Sequence, residues 1–425
     1  MQIGVFVLCI VASVLDGFDT QSIAFVAPAI SADWSVSQLA FGFVFSATLL
    51  GSVVGSAAFG LLADRIGRRR LIIATTAMFG LFSAACALAA SFEQLLLFRF
   101  LGGLGMGADP EHAGAGRRIC AAPDTVEDRD LRAVGLSLGA VFGGMLSAPL
   151  LEHAGWRAVF WLGAVAPLLL ALAMIPLMPE SLRYLSLDPR RRDEVVRLLG
   201  RIAPDQADEV VIERPRAEAG KPGLAQIFAA GLALPTLILA ISLFLSLFLT
   251  YALINWTPTL LTKSGLSVSD GIFGAVALNL GGIVGSYFFS QGLDRVARPP
   301  LLLAAGYGAA AAAIALTSLG GGSPAIALSL LLLCGLFQIG AQLSLTAYTT
   351  ATFPVRLRGT GIGFVQAVGR TGSLIGPVVG GLLLSRGVEP GALLRLSAIP
   401  ALLCAIALLI LGFARPRPSS RENHQ

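Results

Sequence analysis

Apolar runs of about the length of a membrane crossing recur along most of the chain, each closed by a short polar or glycine-rich break. A hydrocarbon core about 30 Å thick needs roughly 20 apolar residues per helix. Clear windows of this kind lie at 3–30, 39–62, 71–91, 158–178, 228–250, 270–290, 300–318, 324–347, 360–384 and 391–413. Two shorter ones, 94–109 and 133–151, bring the expected count to twelve helices. Residues 179–222 are rich in Arg, Asp, Glu and Pro and cannot cross hydrocarbon. The pattern therefore predicts an all-α membrane protein of two six-helix bundles, 1–178 and 223–414. A polar central loop at 179–222 joins them, and a polar tail follows at 415–425.

Composition agrees. Of 425 residues, 55% are hydrophobic and only 13% charged, with a mean hydropathy of +0.79. A soluble protein could not cover that much apolar side chain, so lipid is the expected solvent. The net charge of +5 matters through its placement. Arg65, Arg68, Arg69 and Arg70, the central loop, Arg295, Arg298, Arg356, Arg358 and the tail Arg415, Arg417 and Arg421 all fall on one side of the predicted membrane. By the positive-inside rule that side is cytoplasmic, with both termini there. Residues 1–30 carry no basic residue but do carry Asp16 and Asp19, unlike a cleaved export signal, so the first segment is expected to remain as a helix. Five scattered cysteines lack the spacing of zinc sites or disulfide frameworks. The three histidines lie outside the clear helices, and no catalytic triad or metal-ligand pattern appears. Neither an enzyme nor a cofactor or metal site is expected, and nucleic acid is not an expected partner.

Two internal regularities sharpen this picture. Glycines recur four apart, as at Gly51/Gly55, Gly103/Gly107, Gly139/Gly143, Gly281/Gly285 and Gly376/Gly380, a spacing that lets membrane helices approach closely. The stretch GSAAFGLLADRIGR from Gly55 also matches GSYFFSQGLDRVAR from Gly285 in Gly, Ser, Leu, Asp and two Arg, an offset of 230 residues. Both copies follow the second helix of their half, the mark of a duplicated six-helix unit such as many transporters contain.

The segment from Gly60 to Arg69, GLLADRIGRR, resembles the loop between the second and third helices of the major facilitator superfamily, and Asp294 and Arg295 echo it. The resemblance implies the major facilitator fold and a conformational switch at Gly60, Asp64, Arg65 and Arg68. FPVRLRGTG from Phe353 is similar to a second cytoplasmic signature of that family and adds Arg358 to the switch set. More narrowly, VLDGFDTQSIAFVAPAI from Val14, with NWTPTL from Asn255, is similar to the aromatic acid:proton symporters of the superfamily. Independently of any family, Asp16 and Asp19 lie three apart on one helix face in mid-membrane. Two carboxylates there cannot both stay charged at low cost, so at least one is expected to carry a proton. Pairing with neighbouring helices alone is the structural alternative.

Arg99 and Arg370 are intramembrane cations without acids nearby in sequence. Such groups pair across a bundle or with an anionic solute. The resemblance implies function at both, with Arg370 assigned to a substrate carboxylate or a gate and Arg99 to the Asp16/Asp19 pair; the reverse assignment stays open. Asn255 and Trp256 join them as substrate candidates.

The resemblance fails between about Ala108 and Asp130. Relatives continue with a Pro-Asn apolar stretch and a Glu-Tyr-x-Pro turn, whereas this chain reads ADPEHAGAGRRICAAPDTVEDRD. Codons GAT CCC GAA CAT for Asp109–His112 read Ile-Pro-Asn-Met in the next frame. Residues 113–121, written GCG GGC GCT GGT CGC CGA ATA TGC GCC, read Arg-Ala-Leu-Val-Ala-Glu-Tyr-Ala and then Pro. A local frame displacement over 108–130 is therefore expected, leaving the fourth helix short.

The leading functional expectation is a monomeric symporter that imports small aromatic carboxylates with protons across an inner membrane. A superfamily exporter or importer of another organic anion or drug-like metabolite is the alternative within transport. A sensor-like or nonfunctional membrane remnant is the alternative outside it.

Overall fold

The computed structural model describes residues 2–107, 126–180, 223–229, 231–318 and 323–414. Among these there are twelve α-helices and no strand. In chain order they are α1 Gln2–Trp34, α2 Gln38–Ile66, α3 Arg68–Ala87, α4 Phe92–Met106, α5 Val126–Ala154 and α6 Trp156–Leu177, then α7 Ala233–Lys263, α8 Val268–Arg295, α9 Pro299–Thr317, α10 Pro324–Thr352, α11 Arg358–Ser385 and α12 Pro390–Ala414. A short 3₁₀ turn, Leu224–Phe228, precedes α7. Eleven of the helices are long and apolar enough to cross a membrane. The exception is α4, whose 15 residues span about 22 Å at 1.5 Å per residue.

Helices start and stop where the local chemistry dictates. Ser267 and Asp270 form a reciprocal capping box at the start of α8, which satisfies amides that otherwise lack partners. Pro299 and Pro324 open α9 and α10, where a missing N–H costs nothing. Between α5 and α6, Gly155 takes φ 75°, a left-handed turn that suits glycine. Helices run past the apolar windows wherever polar residues continue the turn. Thus α3 begins at Arg68 rather than 71, and α5 begins at Val126 rather than 133. Of the anticipated polar break at 108–130, residues 108–125 lie outside the described residues, and 126–130 belong to α5.

The chain divides into two compact units, Met1–Val36 with Phe43–Gly220, and Ser37–Gly42 with Lys221–Gln425. Their internal packing follows one scheme. In the first, α1 packs on α5 and α3 on α6; in the second, α7 packs on α11 and α9 on α12. The close pairs are backbone contacts through glycine. A Cβ at Gly139 of α5 would overlap the Val14 carbonyl of α1, and one at Gly285 of α8 would overlap the Leu336 carbonyl of α10. With no hydrophobic drive between helices in lipid, such close van der Waals contact is what holds each bundle together. The second unit also has a continuous apolar core around Leu239, Leu303, Tyr307, Leu345, Val365 and Leu408.

Candidate functional site

Charged residues inside an apolar bundle must find partners, and Asp19 and Arg99 find each other. Asp19 on α1 and Arg99 on α4 are each only 2% exposed. Arg99 Nη1 donates to Asp19 Oδ2 at 2.9 Å, Nη2 to the Asp19 backbone carbonyl at 2.9 Å, and Nε to Thr48 Oγ1 of α2 at 3.0 Å. Three helices are thereby joined through one guanidinium. Its fixed planar fork suits this task, since each N–H is aimed at a different acceptor. The α4 backbone can come that near because glycines thin its contact with α2: a Cβ at Gly103 would overlap the Thr48 carbonyl.

Asp16 takes a different course. It is half-buried one turn before Asp19 and lines a small pocket with Thr75, Thr76 and Phe79 of α3, Met106 of α4 and Pro167 of α6. Spacing alone puts the two acids on one helix face; the structure brings only Asp19 to Arg99.

In the second unit the anticipated residues are spread along α7 and α11. Asn255 is buried and donates to the Tyr251 carbonyl at 2.8 Å within its own helix. Trp256, 1% exposed, donates from Nε1 to the Pro377 carbonyl of α11 at 2.8 Å. Its ring occupies the room left by Gly380, where a Cβ would stand 2.6 Å from the indole. The indole N–H that could meet a solute is thus directed into α11. Arg370 is half-buried on α11, and its carbonyl accepts from Ser373 Oγ at 2.7 Å.

The switch residues lie at helix ends. Gly60 and Arg65 are exposed on α2, and Arg68 is buried at the start of α3; the Asp64 side chain lies outside the described residues. Asp294, Arg295 and Arg358 are exposed, with Arg295 reaching Gln291 Oε1 at 3.5 Å. Gly67 provides α3 with no side-chain cap. The Glu180 carboxylate fills that role instead, accepting from the Arg69 backbone N–H at 3.1 Å, while the Arg69 guanidinium donates to the Ile175 carbonyl.

Three groups escaped the sequence reading: Thr48, Glu180 and a polar spine in the second unit. In the spine, Tyr307 donates to Ser246 Oγ at 2.7 Å. Gln338 donates to the Ser246 carbonyl at 3.2 Å and to Thr250 Oγ1 at 3.3 Å. The signal was a glutamine in the apolar run of α10, which needs partners as surely as an arginine does. No cluster of His, Cys, Asp or Glu able to hold a metal ion occurs among the described residues.

A profile of the Major Facilitator Superfamily matches residues 9–114 and 131–370, leaving 115–130 unmatched between its two parts. The 4-hydroxybenzoate transporter PcaK of Acinetobacter baylyi is 32% identical over 95% of this chain and 90% of its own length. A gallate transporter of Pseudomonas putida is 31% identical over 97% and 92%. The crystal structure of a bacterial homologue of the human lysosomal transporter Spinster, inward-facing and unoccupied, shares the fold with a TM-score of 0.69 at 18% identity, over 97% of this chain and 95% of that one. Helices, profile and relatives agree: this multi-pass membrane protein belongs to the major facilitator superfamily.

Proposed function

We propose that the chain is a secondary transporter that imports small aromatic carboxylates, such as hydroxybenzoates, together with protons, and not an enzyme. The observation that carries this reading is the buried Asp19–Arg99 pair with a second acid, Asp16, one turn away. Relatives of near-complete coverage transport 4-hydroxybenzoate and gallate, anions whose charge must be balanced to cross a bilayer. A mid-membrane carboxylate that takes up a proton supplies that balance. Arg370 is the candidate partner of the solute carboxylate, with Asn255 and Trp256 of α7 as further substrate candidates. Gly60, Asp64, Arg65, Arg68, Asp294, Arg295 and Arg358 form the switch that exchanges two conformations. The termini face the cytoplasm of a bacterial inner membrane, and the chain works as a monomer.

The test is uptake of labelled hydroxybenzoates, gallate and benzoate into proteoliposomes with an imposed proton gradient. Accumulation that collapses with a protonophore supports the reading. Accumulation indifferent to the gradient, or none of the panel taken up, overturns it.

A further inference from the structure

We propose that Tyr307 and Gln338 are positioning residues for transport: the polar spine they build with Ser246 and Thr250 pins the rotation and register of α7, and so fixes where Asn255 meets the solute. This rests on the transport reading above and adds residues that hold its site without touching the solute.

The first observation is that the apolar contacts of α7 leave its setting undefined. Residues 237–249 read LILAISLFLSLFL, apolar on every face apart from Ser242 and Ser246. In lipid, one apolar face of a helix packs about as well as another. The closest seat of α7 is on α11, where a Cβ at Gly372 would overlap the Phe244 carbonyl and one at Gly376 the Phe248 carbonyl. Both contacts join a glycine to a phenylalanine carbonyl, one turn apart. Gly380 continues the same row by a further turn, so the seat fits again after a shift of one turn.

The second observation is that the spine is directional where those contacts are not. Tyr307 of α9 donates to Ser246 Oγ at 2.7 Å. Gln338 of α10 donates through Nε2 to the Ser246 carbonyl at 3.2 Å and to Thr250 Oγ1 at 3.3 Å. All four residues are buried. Rotating α7 by one residue, about 100°, would carry Ser246 away from both donors. The Tyr307 hydroxyl and the Gln338 amide would then be buried without acceptors, so one setting of α7 is singled out.

The third observation is that Gln338 is not kept for stability alone. Its Oε1 is buried with no hydrogen-bond partner, and a methionine of similar length would fill the same space with no acceptor left over. A buried polar group held at some cost to stability can serve to specify one arrangement, as a single buried Asn does in a coiled coil. Asn255 lies between Thr250 and Trp256 on α7, and Trp256 donates to the Pro377 carbonyl at 2.8 Å. The spine on one side and the indole on the other therefore hold the stretch that carries Asn255.

The test uses the full chain labelled with fluorotryptophan and followed by fluorine NMR without any solute, the Trp256 line being identified by its loss in Trp256→Phe. The parent should give a single Trp256 line. Gln338→Met should split or broaden that line while the melting temperature in detergent stays equal or rises, and Tyr307→Phe, which keeps the ring and removes the donor, should do so more weakly. In proteoliposomes, Gln338→Met should raise the apparent KM for 4-hydroxybenzoate several-fold and flatten the preference among aromatic acids, with Vmax little changed. An unchanged Trp256 line in both variants overturns the proposal. So does a fall in melting temperature and Vmax with KM unmoved, the result expected of a residue that only supports the fold. Failure of the uptake panel in the parent, with the fluorine lines behaving as described, would remove the substrate reading and leave the pin on α7 in place.

Discussion

Removing the Arg99 charge while keeping its bulk should destabilise the first unit far more than any exposed arginine could. Arg99→Gln leaves the Asp19 carboxylate buried without its cation, and breaking one side of a buried pair costs about 3–5 kcal/mol. Asp19→Asn alone should cost a similar amount, since it strands the guanidinium against Thr48. The double variant, Asp19→Asn with Arg99→Gln, exchanges an ion pair for an amide pair of similar size and should lose only about 1–2 kcal/mol. The two single losses therefore sum to about 6–10 kcal/mol, and the coupling is roughly 4–9 kcal/mol. At an effective dielectric of about 20, opposite charges 4 Å apart attract by about 4 kcal/mol, which accounts for the lower end of that range; the rest is the penalty of leaving one charge buried without its partner. The assay is equilibrium unfolding of purified protein in mixed lipid–detergent micelles by titration with a denaturing detergent, read by circular dichroism for all four members of the cycle. Additive losses, with the double variant as unstable as the sum of the singles, would refute the claim that the pair holds α1, α2 and α4 together.

Two further outcomes follow from the second unit and from the anomalous segment. Trp256→Phe keeps the ring but removes the donor to Pro377, and should lower stability by about 1 kcal/mol; Trp256→Ala empties a fully buried site and should cost about 3–5 kcal/mol. A Trp256→Phe variant of unchanged stability that fails to discriminate among aromatic acids would instead assign the indole to the solute. For 108–130, a version carrying Ile-Pro-Asn-Met and Glu-Tyr-Ala-Pro should exceed the present chain in gradient-driven uptake by at least tenfold, and equal uptake would remove the frame-displacement reading.

Much of the architecture was legible because lipid leaves few options: an apolar run of sufficient length must be a helix, and a charge within it must find a partner. Arg99 could thus be marked from the sequence, as could the acids of α1. Which acid it meets could not be read, because an i,i+3 spacing aims Asp16 and Asp19 the same way. The choice depends on how near α4 comes to α2, a register set by Gly103 against Thr48. The Trp256 bond was hidden for a similar reason, since it requires Pro377 and Gly380 to arrive opposite the indole. Glu180 and Arg69 are 111 residues apart, and nothing local links them. Helix starts at Arg68 and Val126 were missed because hydropathy marks where lipid begins, not where the backbone begins to coil.

The glycines at the helix crossings bear on how this gene tolerates mutation. A single-base missense change in a glycine codon gives Ala, Ser, Val, Cys, Asp, Glu, Arg or Trp, and every one of these adds at least a Cβ. At Gly139 that carbon collides with the Val14 carbonyl, and at Gly285 with the Leu336 carbonyl; in both cases the obstacle is main chain, which cannot rotate aside. Alanine, the mildest replacement at most positions, is therefore disruptive here, whereas a lipid-facing residue such as Leu172 or Ile406 accepts many apolar exchanges. In a mutational scan, loss-of-function variants should gather at the smallest side chains of the protein rather than at its largest.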